Sequence, residues 1–218
     1  MSVGDPGAGT VFHAVVLAGG RSSRLGGTPK AELRRDGRTL VELTVGAVGA
    51  AAGVVVVGPP ELPVPEGVLR AREDPPFSGP AAGVAAGLRA LDALPGAPWT
   101  LVLACDMPGV ARAVPLLLAA AGTDPGAAGH VGVPPDGHRQ PLAALYRSDA
   151  LRAAFAGRDP ADRSVFSFVR DLPLRDVTVP ENATADVDTW DDVRRHHLTR
   201  PPAGGPTPSV AAPFAIRA

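Results

Sequence analysis

The sequence predicts a three-layer α/β domain on a mostly parallel central sheet, and three observations predict it. Short apolar runs at residues 14–19, 54–57 and 100–104 carry no alternating polar positions, as in strands covered on both faces. Helical stretches fall between such runs, so strands and helices alternate along the chain. The polar, glycine-rich segments mostly follow strands. That gathers them at one edge of the sheet, beyond the strand carboxyl ends, where sheets of this kind bind ligands.

Each element follows from its local sequence. Residues 14–19 (AVVLAG) form a continuous apolar run that ends in glycine, a buried strand, and a polar loop follows from Gly20 to Lys30. Residues 39–52 read as a helix, with Thr39 at its N-cap and Glu42 completing a capping box. Four valines at 54–57, bounded by Gly53 and Gly58, make a second buried strand, and residues 68–72 a further short one. The Ala/Leu-rich residues 83–94 are helical, 100–104 a strand ending at Cys105-Asp106, and 110–121 a helix. Then come a strand at 141–146, helices at 149–156 and 164–171, a strand at 174–179 and a last helix at 189–197.

A chain of 218 residues suffices for one α/β domain with a substantial core. Residues 12–198 are assigned to that domain, 1–11 to a disordered N-terminal segment and 199–218 to a disordered Pro/Gly/Ala-rich tail. The formal net charge of −1 argues against nucleic-acid or acidic-membrane binding driven by bulk charge. The single cysteine, Cys105, excludes an internal disulfide. No apolar run approaches transmembrane length, and the N-terminus lacks the basic start and apolar core of a secretory signal. A cytoplasmic protein is expected.

The chain has twenty arginines and one lysine, Lys30, and that lysine lies in the glycine-rich loop. Glycines let backbone N–H groups approach a phosphate closely. A compact ammonium serves there as a point charge where a planar guanidinium would not. Arg24 and Lys30 can neutralise a triphosphate from two sides. A Walker A loop is excluded, because Lys30 is preceded by Pro29 and followed by Ala31. The dinucleotide fingerprint fails too, because Gly19 and Gly20 are adjacent and the next glycine is Gly26.

Asp106, at the end of the 100–104 strand, sits at the ligand edge. Its hard oxygens suit Mg²⁺, which takes one or two carboxylates together with substrate phosphates. The competing role is a helix cap, for which Pro108 and Gly109 place it too early. Asp74 opens a proline-rich stretch and is a nucleotide contact or a solvated loop residue. Thr189 and Asp192 make a capping box, and Asp188, or Asp186 before it, is a candidate second metal ligand. His138 and Arg139 suit an acceptor phosphate or a solvated turn. Arg34, Arg35 and Arg38 are most simply a solvated charge run. Cys105 is a buried structural thiol, and His196-His197 a cationic helix end rather than a metal site.

The string Leu-Ala-Gly-Gly-x-Ser-x-Arg-Leu-Gly from Leu17 to Gly26, followed by Lys30, resembles the signature loop of the molybdenum-cofactor guanylyltransferase and cytidylyltransferase group. Three later strings extend the resemblance. Cys105-Asp106-Met107-Pro108 is similar to the family's second hallmark. Asp74 followed by Gly79-Pro80-Ala81-Ala82-Gly83 is similar to an Asp…Gly-Pro-Leu-Ala-Gly segment, with Ala81 where leucine is usual. The segment from Asp186 to Asp192 is similar to the family's C-terminal one, with Asp188 for Asn and Trp190 for Pro.

The resemblance implies a Rossmann-like nucleotidyltransferase that transfers GMP from GTP to Mo-molybdopterin and releases pyrophosphate, with Mg²⁺ as cofactor. It implies nucleotide contacts from Leu17, Ala18, Gly19, Gly20, Lys30, Asp74, Gly79 and Asp106. Catalytic roles fall to Lys30, Arg24 and Asp106, and metal binding to Asp106 and Asp188. Transient contacts with molybdoenzymes or cofactor-synthesis proteins would follow. Cytidylyl transfer from CTP, a sugar-phosphate nucleotidyltransferase and a non-catalytic nucleotide binder are the alternatives.

Overall fold

A strand with no polar side chain except His13 runs through the centre of the molecule. The computed structural model describes residues 9–201, so the N-terminal segment before Gly9 and the tail after Pro201 lie outside the described residues. In chain order the elements are β1 (Phe12–Leu17), β2 (Arg34–Arg35), β3 (Arg38–Thr39), α1 (Leu40–Ala47), β4 (Gly53–Val57), β5 (Leu69–Ala71), α2 (Gly79–Ala90), β6 (Trp99–Ala104), α3 (Val114–Ala120), β7 (Gly129–Val133), β8 (Gln140–Arg147), α4 (Ser148–Phe155), α5 (Phe166–Val169), β9 (Leu174–Thr178) and α6 (Trp190–Arg195).

Seven strands form one sheet in the order β5-β4-β1-β6-β8-β7-β9, and β2 and β3 form a small separate hairpin. β1 pairs in parallel with β4 and β6, β4 with β5, and β7 with β9. β8 alone runs antiparallel to both its neighbours. The reversal has a local cause. Only the six residues 134–139 separate β7 from β8, too few for the crossover that a parallel pair needs.

Because side chains alternate across a strand, each apolar run feeds two cores. Ala14, Val16, Val54, Val56, Leu101 and Leu103 face α1 and α3, with Val41, Val45, Val114 and Leu117 packed on them. Val15, Val55, Val57, Val102 and Tyr146 face the other layer, against Val84, Leu88, Leu151 and Phe168. A third cluster, of Leu25, Leu33, Leu40, Val187, Val193 and Leu198, lies outside the sheet and joins the glycine-rich loop to the C-terminal segment.

Both predicted capping boxes are present: Thr39 with Glu42, and Thr189 with Asp192. Several bounds differ from expectation. The helix predicted over 39–52 ends at Ala47, since Gly46 and Gly49 weaken its continuation. The helix predicted over 110–121 is split into a 3-10 turn at Val110–Arg112 and α3, whose first turn holds Pro115. α2 starts at Gly79, four residues earlier than predicted, with Pro80 in its first turn. β7 and the β2–β3 hairpin were not predicted. Arg34 and Thr199 exchange both backbone hydrogen bonds, at 2.9 and 2.8 Å.

No helix among the described residues is long and apolar enough to cross a membrane.

Candidate active site

The glycine-rich loop leaves β1 at the carboxyl edge of the sheet and folds back on itself. The Leu25 amide donates to the Ser22 carbonyl at 3.0 Å, and the Lys30 amide to Ser22 Oγ at 3.3 Å. Leu25 is buried in the third cluster, which pins the loop from below. On the neighbouring strand, the Cys105 amide donates to the Leu17 carbonyl at 2.9 Å, so Asp106 emerges beside the loop. The Val187 amide then donates to the Asp106 carbonyl at 2.9 Å and brings the C-terminal segment over both.

Three distant stretches therefore meet. Lys30 Nζ donates to Asp106 Oδ2 at 3.2 Å and to Asp188 Oδ1. Arg24 Nη1 donates to Asp188 Oδ2 at 2.8 Å. Lys30, Arg24, Asp106 and Asp188 form one ion cluster. Asp186 is exposed and acts at a distance, by repelling charge on Asp106. Burial disfavours the charged Lys30 ammonium, but Asp188 and Asp106 outweigh it and hold its pKa above the ordinary lysine value. Burial pushes the Asp106 carboxyl up. The Lys30 charge offsets part of that rise, and Asp186 and Asp188 add to it.

Beneath the cluster opens a cavity of about 670 Å³. Leu17, Ala18, Gly19, Gly20, Lys30, Gly79 and Asp106, all predicted nucleotide contacts, line it. Asp74 does not. It is exposed, and its neighbour Glu73 lines the wall instead. Arg24 and Asp188 are not in the lining and connect to it through Lys30, which Asp188 contacts. His138 and Arg139 are exposed and outside the lining, with Arg139 Nε paired to Asp176 at 2.7 Å. Arg35 donates to the Pro108 carbonyl at 2.8 Å and Arg38 to the Glu42 carbonyl at 3.1 Å. Cys105 is buried, and its thiol is pushed far up by burial, so it is no nucleophile. Residues not singled out from sequence also line the cavity, among them Arg21, Pro59, Leu62, Glu73 and Phe77.

Fixed cations, paired carboxylates and a glycine-rich phosphate loop suit the transfer of a nucleotidyl group, and that is the class this fold and cavity define: a nucleotidyltransferase. Comparison with known proteins agrees. Residues 14–177 match the MobA-like NTP transferase domain. The chain is 36% identical over 202 residues to a probable molybdenum cofactor guanylyltransferase of Opitutus terrae, covering 86% of this chain and 97% of that one. It is 31% identical to the molybdenum cofactor guanylyltransferase of Cupriavidus taiwanensis, over 84% and 94% of the two chains. Among solved structures, Rv0371c from Mycobacterium tuberculosis superposes with a TM-score of 0.67 at 25% identity, covering 87% of this chain and 98% of that one. Molybdopterin-guanine dinucleotide biosynthesis protein A from Archaeoglobus fulgidus shares the fold at a TM-score of 0.59 and 22% identity, over 84% and 96%. The chain belongs to the MobA-like NTP transferase family.

Proposed function

We propose that this nucleotidyltransferase moves GMP from GTP to the terminal phosphate of Mo-molybdopterin and releases pyrophosphate, with Mg²⁺ as its metal. The relatives in Opitutus terrae and Cupriavidus taiwanensis bear guanylyltransferase names, and the ion cluster carries the chemistry. In the protein alone the charges of Lys30 and Arg24 are balanced by Asp106 and Asp188. A triphosphate entering this cluster needs more positive charge than the two side chains have to spare. The paired carboxylates fit Mg²⁺ because they are hard oxygen donors already gathered around a cation, the Lys30 ammonium. Asp106 and Asp188 would hold the metal, which supplies charge neutralisation on the phosphate oxygens when bound.

The protein's own groups do the rest by position and electrostatics. Backbone groups of Leu17, Ala18, Gly19 and Gly20 hold the nucleotide along the strand end, and Gly79 faces it from the start of α2. Lys30 and Arg24, drawn from their carboxylates to the phosphates, stabilise the charge that builds on the pyrophosphate as the acceptor phosphate oxygen bonds to the α-phosphorus. The bond to the leaving pyrophosphate breaks in the same displacement.

Calorimetric binding of GTP, CTP, ATP and UTP, each with and without Mg²⁺, tests the assignment. Preference for GTP that depends on Mg²⁺ is the expected result. Preference for CTP would move the chain to cytidylyl transfer, and binding of none would remove the catalytic assignment.

A further inference from the structure

The proline-rich stretch before α2 offers two adjacent acids, and the fold turns one of them inward. Glu73 is half-buried in the cavity wall, whereas Asp74 is exposed. Glu73 Oε1 accepts the Phe77 amide N–H at 3.0 Å. It also lies 3.8 Å from the position a Cβ on Gly19 would take, so the carboxylate stands directly over the glycine-rich loop. Phe77 presents its amide in this direction with a φ of 66°, a left-handed conformation uncommon for so large a residue. The Phe77 ring is held at the cavity mouth under two guanidinium groups, Arg21 and Arg72, 5.3 and 5.9 Å from its centroid. One oxygen of the Glu73 carboxylate is thereby tied to the backbone of this loop.

Lys30 and Asp106 belong to the ion cluster and Ser22 holds the Lys30 amide, whereas Glu73 lies close to Gly19, as Gly58 and the Val57 carbonyl do, at the carboxyl end of β4, where Val57, Pro59 and Leu62 also line the wall. A nucleotide with its phosphates beside Lys30 that reaches across the end of β1 puts its base at the β4 side, next to Glu73. There an ionised carboxylate can only accept hydrogen bonds, with about four lone-pair sites, of which Phe77 uses one. Guanine presents N1–H and the N2 amino group side by side, two donors on one edge. Cytosine and adenine present a donor next to an acceptor, and a carboxylate repels the second. We infer that Glu73 is the base-reading residue, selecting guanine through a bidentate, charge-assisted pair of hydrogen bonds. This rests on the guanylyl-transfer proposal above and adds what would enforce it.

Calorimetric Kd values for Mg²⁺-bound GTP, ITP and CTP on the wild type and on Glu73→Gln decide it. Inosine lacks only the N2 amino group. Glutamine keeps a carbonyl for the Phe77 amide, so the loop stays in place, but it cannot accept from both guanine donors as a carboxylate does. The wild type should favour GTP over ITP by about tenfold or more, and Glu73→Gln should bring the two within about threefold. The same variant should narrow the gap between GTP and CTP. An unchanged GTP-to-ITP ratio in Glu73→Gln would overturn the inference while leaving guanylyl transfer intact. Loss of that ratio in Asp74→Asn but not in Glu73→Gln would overturn it equally. A wild type that favours CTP would instead bring down the guanylyl proposal, and this inference with it.

Discussion

At the scale of single residues, position separates side chains that composition treats alike. Lys30 was singled out because one lysine stands among twenty arginines, and the structure sets its ammonium between two carboxylates. A point charge on a flexible stem serves two partners and can be handed to a phosphate, whereas a planar fork is committed to one face. Glu73 and Asp74 could not be told apart in the same way, because adjacent acids differ only in which way the chain turns. His130 was given no role from sequence. It is fully buried in β7, its Nε2 has no hydrogen-bond partner among the described residues, and its ring lies 5.7 Å from that of Trp99. Burial, with the Arg175 charge as a smaller cause, holds its pKa below the ordinary 6.5, against a partial offset from Asp124. A histidine kept neutral in the folded state takes up more protons once unfolded, so stability is complete above the unfolded pKa and is lost as pH falls through the window below about 6.5. His13, also buried with a lowered pKa, adds in the same direction. Melting temperatures measured from pH 7.5 to 5 should fall toward acid. His130→Leu should flatten that slope, and an equally steep slope in the variant would exclude His130 as a cause.

At the scale of elements, hydrophobic pattern and caps were legible, and close backbone approaches were not. Every apolar run predicted as a strand is one, and both capping boxes stand where Thr39 and Thr189 put them. β7 escaped because its sequence, Gly-His-Val-Gly-Val, reads as a loop. Its glycines are there for packing: a Cβ on Gly129 would stand 2.7 Å from the Leu145 carbonyl oxygen of β8. The direction of β8 was hidden for a related reason, since element order alone does not reveal a short reversal. Gly109 is a second such contact and bears on function. A Cβ there would overlap the Asn182 carbonyl oxygen and press on Ala183, backbone that cannot yield as a side chain tip can. This is where the segment carrying Asp188 docks against the turn after Asp106. Gly109→Ala should therefore cost about 1–3 kcal/mol, in the range of overpacking, or several degrees in Tm for a chain of this size. It should also weaken Mg²⁺-dependent nucleotide binding by displacing Asp188. A variant with wild-type Tm and nucleotide affinity would show that this contact is not tight.

At the scale of the whole molecule, the site is an assembly that no single stretch contains. Lys30 and Asp106 are 76 residues apart, and Lys30 and Asp188 158 residues apart. The central sheet brings the first pair together by placing β6 beside β1. The third core cluster brings the second by packing Leu25 and Leu33 against Val187, Val193 and Leu198. Sequence alone named all four members of the cluster through ordered motifs, but not the ion pairs among them. Part of the cavity wall is not legible in the sequence, because Pro59, Leu62 and Phe77 carry no chemistry of their own until the fold turns them toward one space. In the proposed reaction this assembly transfers a nucleotidyl group by electrostatic positioning, with Lys30 at its centre. Its most direct test is pyrophosphate release from GTP in the presence of Mg²⁺ and molybdopterin acceptor, for the wild type and for Lys30→Ala at matched folding by circular dichroism. The wild type should release pyrophosphate only with both acceptor and Mg²⁺ present, and Lys30→Ala should lose about a hundredfold or more in kcat/KM. Turnover within a few-fold of wild type in Lys30→Ala would show that Lys30 does not carry the reaction.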